Sequence, residues 1–235
     1  MITKKELKSI TSLRWKKNRK ELNQFVAEGT KTIEALIEAG LRPNALYASH
    51  PSDFLEVTIV GQREMERMSL LKNASPLLGV FTIPAVPNLP SKGRILVLDA
   101  VADPGNLGTI IRLCDWFGIQ HILCSEDTVD CYNPKVVQAS MGSLARVHCH
   151  YTNLYTYMAQ SDLPIYGTFL EGKSIYTISF PENAMLVLGS ESHGISSDIE
   201  ALVKNKVTIP RKVEQGPESL NVAIAGALTL GEFCK

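Results

Sequence analysis

The second half of the chain alternates short strand-like runs with segments whose apolar residues recur at helical spacing. The strand-like runs occupy residues 95–98, 121–124, 146–150, 165–168, 184–188 and 207–209. Helical patterns occupy residues 108–117, 135–143 and 219–233. Continuous apolar runs are typical of strands buried on both faces, and their alternation with helices predicts a mostly parallel sheet.

The beginning of the chain predicts a smaller α/β unit. Helical spacing extends over residues 3–40, where it is carried by Leu7, Ile10, Leu13, Ile33, Leu36 and Ile37, and Gly40 is the predicted stop. Strands are predicted at residues 44–49, 58–60 and 77–83, with a short helix at 63–71.

Three prolines and a glycine separate the two halves. Pro84, Pro87, Pro90 and Gly93 lie within ten residues. Proline sustains neither a helix interior nor a central strand, because it lacks the backbone N–H. We therefore predict a domain at residues 1–84, a linker at 85–93 and a second domain at 94–235.

Polar loops follow several of the predicted strands. The first motif spans residues 103–112, with Asn106 in its loop and Arg112 one turn into the helix that follows. Asn106 can donate and accept hydrogen bonds, and the guanidinium of Arg112 suits a phosphate or carboxylate. By itself, Arg112 could equally be a surface residue paired with Asp103 or Asp115.

A second loop follows the strand at 184–188 and holds Glu191 and His193 between Gly189 and Gly194. Its backbone groups could bind a small polar ligand. We interpret His193 as a loop residue and not as a catalytic base.

The third motif combines Ile209-Pro210 at a strand end with Ser219, Leu220 and Asn221 at the start of the last helix. Ser219 is the predicted N-cap of that helix. Small residues further along the helix predict close packing against a neighbouring element. Ligands bind at the carboxyl ends of parallel strands, so we expect all three loops at one edge of the sheet.

Several common catalytic motifs are absent from the sequence. It contains no G-x-G-x-x-G, no G-x-x-x-x-G-K-[ST] and no G-x-S-x-G around the serines of the second loop. Hydride transfer, nucleotide hydrolysis and serine hydrolysis are therefore not favoured. Within a strand, His148 and His150 would share one face and Cys149 the other, with no fourth ligand nearby, so no metal site is predicted.

Charge is unevenly distributed, although the formal net charge is zero. The first twenty residues contain eight lysines and arginines against Glu6 alone, a balance of +7 that leaves −7 for the remainder. Such a stretch is either a phosphate-binding surface or a solvated helix face. Trp15 and Phe25 are expected to anchor this segment to the core in preference to stacking on bases.

The sequence predicts a cytoplasmic protein that does not enter a membrane. No apolar run approaches the roughly 18 residues that span a bilayer, and the start lacks the apolar region of a signal peptide. The five cysteines form no C-x-x-C pair, which suits a reducing compartment.

In order and spacing, the three motifs resemble those of the SpoU/TrmH family of RNA ribose 2′-O-methyltransferases. Residues 136–143 resemble a further helix of that family, and residues 25–29 are similar to part of its substrate-binding domain. The resemblance implies an α/β fold with two parts: a C-terminal trefoil-knot methyltransferase domain with a mostly parallel sheet, and a small N-terminal α/β domain like ribosomal protein L30. It also implies a homodimer.

The resemblance implies methyl transfer from S-adenosylmethionine to a ribose 2′-hydroxyl of ribosomal or transfer RNA, without a metal. Arg112 would assist removal of the hydroxyl proton, and Asn106, Glu191, Ser219 and Asn221 would position it and the substrate. The implied cofactor pocket is lined by Thr168, Phe169, Leu170, Leu188, Gly189, Glu191, Gly194, Ile209, Leu220 and Val222. From its charge, the basic start of the chain is expected to bind RNA through Lys16, Lys17, Arg19 and Lys20.

One loop departs from the family pattern. Residues 211–216, after Ile209-Pro210, form a longer and basic loop, which alters one wall of the cofactor pocket or adds a phosphate contact. Two other functions remain open at this point. One is a non-catalytic RNA-binding protein that retains the fold, and the other is a methyltransferase that acts on a base.

Overall fold

The computed structural model describes residues 2–51, 54, 56–213 and 218–235. Contacts divide the chain into two compact units. Unit 1 comprises Met1–Ala85 and Asp130–Arg146, and unit 2 comprises Val86–Val129 and Val147–Lys235.

Unit 1 is built on a four-stranded sheet. The elements of its first segment are α1 (Lys4–Ser12), α2 (Lys16–Leu22), β1 (Gln24–Glu28), α3 (Thr30–Glu38), β2 (Pro43–Ala48), β3 (Val57–Ile59), α4 (Gln62–Met68) and β4 (Leu77–Thr82). The strand order is β1-β4-β2-β3. Strand β4 is antiparallel to both β1 and β2, while β2 and β3 are parallel. Helices α1 and α4 pack on this sheet through buried side chains that include Ile10, Leu13 and Met65.

The prediction of continuous helical structure over residues 3–40 was wrong for Gln24–Glu28, which form strand β1. Asn23 adopts a left-handed conformation with φ 52° and ends α2. The chain then forms β1, which pairs with β4 from Gln24 opposite Thr82 to Glu28 opposite Leu78. The helical spacing on either side concealed this strand, because five residues are too few to establish a period of their own.

The remaining elements follow the proline-rich segment. They are β5 (Arg94–Leu98), α5 (Pro104–Phe117), β6 (His121–Cys124), α6 (Pro134–Ser140), β7 (His148–Tyr151), α7 (Leu154–Ala159), β8 (Ile165–Ser174), β9 (Ala184–Leu188), α8 (Ser197–Glu200), β10 (Asn205–Thr208) and α9 (Val222–Phe233). All of these except α6 belong to unit 2.

Unit 2 contains a six-stranded sheet in the order β10-β8-β9-β5-β6-β7. Every pair of neighbouring strands in it is parallel, which confirms the prediction of a mostly parallel sheet. The central strands β5 and β9 are buried, and one face packs a cluster that includes Ile95, Val187, Leu154 and Ile199. Because all strands run the same way, the loops after β5, β8, β9 and β10 emerge at one edge.

Helix α6 belongs to unit 1, although it follows β6 in the chain. It packs on β1, and the rings of Phe25 and Tyr132 lie 4.9 Å apart between centroids. A Cβ added at Gly142 would lie 2.3 Å from Cβ of Ala35, so α3 and the turn after α6 approach closely. The division at residues 84–93 did not anticipate this second segment of unit 1.

The helices of the described residues are short, the longest being α5 with 14 residues. Among those residues, no helix has both the length and the apolar content needed to cross a bilayer.

Candidate active site

The first motif forms the start of α5, which Asp103 caps. The Asp103 carboxylate accepts the backbone N–H of Asn106 at 2.8 Å, and Pro104 occupies the first turn. Both residues suit a helix start, where backbone N–H groups lack a partner within the helix and proline has none to leave unpaired. This arrangement fixes Asn106 in the first turn of α5.

The third motif forms the start of α9, and its cap is Asn221 instead of the predicted Ser219. Oδ1 of Asn221 accepts the backbone N–H groups of Ala223 and Ile224 at 3.0 and 3.3 Å. Asparagine and serine are comparable caps, so the sequence alone did not rank these two neighbouring candidates. Because the cap occupies Oδ1, the amide nitrogen of Asn221 points away from the helix.

Glu191 lies where the starts of α5 and α9 meet. Its Oε1 accepts the side-chain amides of Asn106 at 2.6 Å and Asn221 at 2.7 Å. The amide nitrogen of Asn221 also donates to Oδ1 of Asn106 at 3.0 Å. The partial positive charge at the N-termini of both helices adds attraction for the carboxylate. Three of the five predicted catalytic residues are thus brought together, and Oε2 of the exposed Glu191 is left available to a bound group.

The backbone of the Glu191 loop is held by close internal contacts. Ser190 and Gly194 exchange backbone hydrogen bonds of 2.9 and 3.0 Å. A Cβ added at Gly189 would lie 2.1 Å from the carbonyl carbon of Gly194. Glycine is therefore required at position 189 by the approach of two backbone segments.

Asp99 supports the same loop and was missed by the sequence reasoning. It follows β5 and is buried, and its Oδ2 accepts the backbone N–H of Ser196 at 2.7 Å. The next residue, Ala100, has a φ of 58°, which is uncommon for a residue other than glycine and is typical of constrained loops at functional sites. A carboxylate directly after the four consecutive apolar residues 95–98 was the signal that could have revealed Asp99.

Arg112 lies outside the cluster of Asn106, Glu191 and Asn221. It is exposed, and the helical repeat places it on one face of α5 with Thr109 and Trp116. Six residues along a helix correspond to a rise of about 9 Å from Asn106. The structure shows no hydrogen bond or ion pair from Arg112 to any other residue that it describes, which leaves its guanidinium available to an anionic ligand.

The predicted cofactor residues belong to β8, β9 and β10, which are adjacent in the sheet, or to the loops after them. Thr168, Phe169 and Leu170 were expected after a strand, but they lie within the longer β8. Several of their side chains serve packing. Thr168 donates to the backbone carbonyl of Val187 at 3.2 Å, Phe169 packs against the core, and Leu188 is buried. A ligand at this edge would meet these three residues mainly through their backbone groups.

Other residues of this predicted pocket are open. Leu170 and Leu220 expose 77% and 47% of their surface, which is unusual for large apolar side chains. Ile209 is partly exposed, whereas Val222 is buried. Leu220 directly precedes Asn221, whose side chain donates to Glu191. An exposed apolar side chain next to a residue that binds a carboxylate suits a ligand with a flat apolar ring and a cationic centre. S-adenosylmethionine, with its adenine and its sulfonium, has both.

The basic residues predicted to bind RNA belong to unit 1, and one of them, Arg19, is buried in an ion pair. Lys16, Lys17 and Lys20 are exposed. Arg19 is only 3% exposed and pairs with Asp130, so its guanidinium is not available to a phosphate. We therefore remove Arg19 from the predicted RNA surface.

The basic loop at 211–216 is described only in part. Arg211 and Lys212 are exposed. Glu214, Gln215 and Gly216 lie outside the described residues, so the predicted effect of the loop stays a prediction.

Three histidines lie together on strands β6 and β7. Nδ1 of His121 lies 2.9 Å from Nε2 of His150, and the rings of His121 and His148 are 5.8 Å apart. Burial lowers the pKa of all three, and for His150, where its two neighbours add to the effect, to about 4. Within the part of the chain that the structure describes, no group of three possible ligands has an arrangement that could hold a metal ion.

Comparison with family models identifies both parts of the chain. Residues 93–231 match the SpoU rRNA Methylase family. Residues 4–79 match the MRM3-like substrate binding domain. The first match alone covers more than half of the chain.

Individual proteins are similar over nearly the full length. The 23S rRNA (guanosine(2553)-2′-O)-methyltransferase RlmP of Bacillus subtilis is 28% identical over 95% of this chain and 93% of its own. A solved TrmH-family structure from Porphyromonas gingivalis is 38% identical, with a TM-score of 0.86 over 99% of this chain and 98% of the other. An AdoMet-bound rRNA methyltransferase from Sinorhizobium meliloti is 25% identical, with a TM-score of 0.86 over 99% and 95% of the two chains. With its site at the strand edge of a parallel sheet and its motifs in family order, the chain belongs to the SpoU rRNA methylase family.

Proposed function

We propose that this protein transfers a methyl group from S-adenosylmethionine to a ribose 2′-hydroxyl of ribosomal RNA. The observation that carries the proposal is the hydrogen-bonded cluster of Asn106, Glu191 and Asn221 at the edge of the SpoU-type sheet. The named bacterial relatives act on 23S ribosomal RNA, which makes that RNA the first substrate to test.

The reaction needs an activated hydroxyl held in line with the methyl group. Bound S-adenosylmethionine supplies the electrophilic methyl on a sulfonium. The ribose hydroxyl is a weak nucleophile, and its proton must leave or be polarised as the new bond forms. Correct placement of the hydroxyl supplies much of the remaining acceleration.

The amide and carboxylate cluster is suited to placing the substrate. The two asparagine amides fix Glu191 through Oε1. Oε2 can then accept a hydrogen bond from a ribose hydroxyl or from a guanidinium. The caps of α5 and α9 hold both asparagines by backbone hydrogen bonds, so the cluster is preorganised before RNA binds.

We assign Arg112 to the hydroxyl proton and the adjacent phosphate. A guanidinium normally keeps its proton, so Arg112 acts best by stabilising the developing alkoxide while a phosphate or water takes the proton. Ser219, exposed in the same motif as Asn221, would contact the substrate or this arginine.

Three further features belong to the proposal. Lys16, Lys17 and Lys20 would attract the RNA backbone. The chain would follow the trefoil knot that the family resemblance implies, with an N-terminal domain like ribosomal protein L30. A protein that methylates ribosomal RNA would also work in the cytoplasm, where bacterial ribosomes are assembled.

We also propose a homodimer formed through α9. Ile224 and Leu228 expose 54% and 40% of their surface and lie one helical turn apart. Two exposed aliphatic side chains on one stripe favour burial against a second copy.

The proposed activity predicts that Arg112→Ala loses methyl transfer while it keeps the cofactor. We expect a rate decrease of about 10²- to 10⁴-fold, the usual contribution of a group that assists proton transfer. Methylation of unmodified 23S rRNA with labelled S-adenosylmethionine gives the rate, and nucleoside digestion locates the methyl group. Calorimetry with S-adenosylmethionine and S-adenosylhomocysteine gives the affinity.

Lys204→Ala is the matched control, because Lys204 is exposed and precedes β10 at the opposite edge of the sheet. Near-normal turnover by Arg112→Ala would exclude the proposed role of that residue. If the folded wild-type protein binds neither S-adenosylmethionine nor S-adenosylhomocysteine, with RNA present or absent, an RNA-binding protein without catalysis is favoured instead.

A further inference from the structure

Trp15 is the exposed aromatic side chain of a basic surface on unit 1. It exposes 65% of its surface, whereas Phe25 is fully buried, so the expectation that both would anchor to the core was wrong for Trp15. It precedes α2 as the N-cap residue but makes no side-chain capping bond. Packing and capping therefore do not account for an indole at this position.

The charged residues that neighbour Trp15 in the sequence are all basic. Arg14, Lys16, Lys17 and Lys20 are all exposed, and no acidic residue lies between Glu6 and Glu21. Exposed cations next to a large apolar ring are disfavoured in the interior of a protein–protein interface, where charged residues are depleted. The same combination is typical of surfaces that bind single-stranded nucleic acid, with rings stacking on bases and cations contacting phosphates.

The backbone under Trp15 is unusually well fixed for an exposed turn. Nη1 of Arg19 donates to the carbonyls of both Leu13 and Arg14 at 2.8 Å, and the same guanidinium pairs with Asp130. Asn18 donates to the carbonyl of Ser12 at 3.0 Å. Three successive carbonyls of the turn between α1 and α2 are thus held by side chains.

The side chain of Leu13 anchors the same turn from below. It is 1% exposed and packs in the core of unit 1 with residues of α1, β1 and α4. Arg19 is therefore a positioning residue: it is withdrawn from solvent, and it holds the turn that presents the indole. A ring on a preformed turn loses little conformational entropy when a ligand stacks on it.

We infer that Trp15 is a stacking platform for an unpaired RNA base, flanked by Lys16, Lys17 and Lys20 as phosphate contacts. The inference rests on the proposed function, since it deepens how the RNA substrate is held. The bound base has to be unpaired, because bases inside a duplex expose no face on which a side chain could stack.

Fluorescence of Trp15 tests stacking directly. The chain contains two tryptophans, so a Trp116→Phe background leaves Trp15 as the one indole. Titration with oligouridine should quench its emission, and an RNA hairpin of equal length should quench it far less at equal saturation. Absence of quenching at saturating oligouridine would overturn the inference.

Binding measurements separate stacking from charge. Trp15→Ala should weaken oligouridine binding by about 5- to 150-fold, the loss that corresponds to one stacked base, and Trp15→Phe should restore most of it. Trp15→Ala should leave the salt dependence unchanged, whereas Lys16→Gln, Lys17→Gln and Lys20→Gln together should reduce its slope by up to about 2. Tyr155→Ala, which removes a half-exposed ring from unit 2, is the matched control and should bind as the wild type does.

Two further results would overturn the inference. One is equal oligouridine affinity of Trp15→Ala and the wild type. The other is a loss of self-association in Trp15→Ala with RNA affinity kept, since the indole would then be a protein contact. Methyl transfer to unmodified 23S rRNA, measured with the same protein preparations, separates the two proposals. Trp15-dependent binding without methylation would support the platform and overturn the function, and methylation with Trp15-independent binding would do the reverse.

Discussion

Asn221 connects the stability of a helix to the geometry of the site. One end of its amide caps α9 and the other donates to Glu191, so the same rotamer serves both purposes. A mutation at this position therefore affects two properties that can be measured separately.

We predict that Asn221→Ser and Asn221→Ala both lose most methyl transfer, because both remove the amide that holds Glu191. Serine retains the cap, so only the alanine variant should lose stability, by about 1 kcal/mol. Denaturant unfolding and methylation rates measured on both variants test this. Normal turnover by the serine variant would show that the bond to Glu191 is dispensable.

Single residues also mark what the sequence could and could not predict about the site. Asn106, Glu191 and Asn221 were named from their motifs, and the structure joins them by hydrogen bonds. Asp99 was not named, because its partner is a backbone N–H of a loop almost one hundred residues away. Arg19 was assigned to RNA because a one-dimensional charge count cannot show that Asp130 neutralises it.

At the scale of elements, the apolar runs predicted the strands of unit 2 well, and the failures have identifiable causes. A run buried on both faces has no other stable environment, so the predicted positions of β5, β6 and β9 agree with the structure within one residue. Strand β8 extends to Ser174, beyond the predicted 165–168, because its polar second half has no apolar period. Its register shifts against β10 between Lys206 and Val207, which no local pattern encodes.

The pair of strands β6 and β7 should respond to acid through its three histidines. The pKa of His150 is lowered to about 4 in the folded protein, against an ordinary value near 6.5. Between these values the unfolded chain binds more protons than the folded one, so stability falls as the pH is lowered from about 6.5 to 4. One such group contributes up to about 1.4 kcal/mol per pH unit in that range.

We predict that His150→Gln has a smaller loss of unfolding free energy between pH 7 and pH 5 than the wild type. Urea unfolding at a series of pH values measures the slope for both proteins. His50→Gln is the control, because His50 lies in unit 1, outside the cluster of His121, His148 and His150. Parallel slopes for His150→Gln and the wild type would contradict the prediction.

At the scale of the whole molecule, the family match fixes the fold and the enzyme class, while assembly has to be tested. We predict that Ile224→Glu with Leu228→Glu converts the proposed homodimer to a monomer, because two charges would be buried without partners. Sedimentation equilibrium at micromolar concentration measures the change. Tyr155→Glu, a similar change on the exposed part of α7, should leave the mass unaltered, and a wild-type protein that is already monomeric would refute the proposal.

The molecule's RNA target is beyond what one sequence can supply. Recognition of RNA depends on shape and on bases that leave the helix, and neither has a fixed residue code. Overall composition did not indicate an RNA substrate either, because the net charge of zero concealed a basic segment at the start of the chain.

The return of residues 130–146 to unit 1 affects how this protein can be divided. Helix α6 covers strand β1, so a fragment that stops at residue 85 would expose the apolar surface that α6 buries. An exchange of RNA-binding modules with a relative would therefore have to carry two separate pieces of chain. Recombination at the proline-rich segment alone would produce a chimera with mismatched halves of one core.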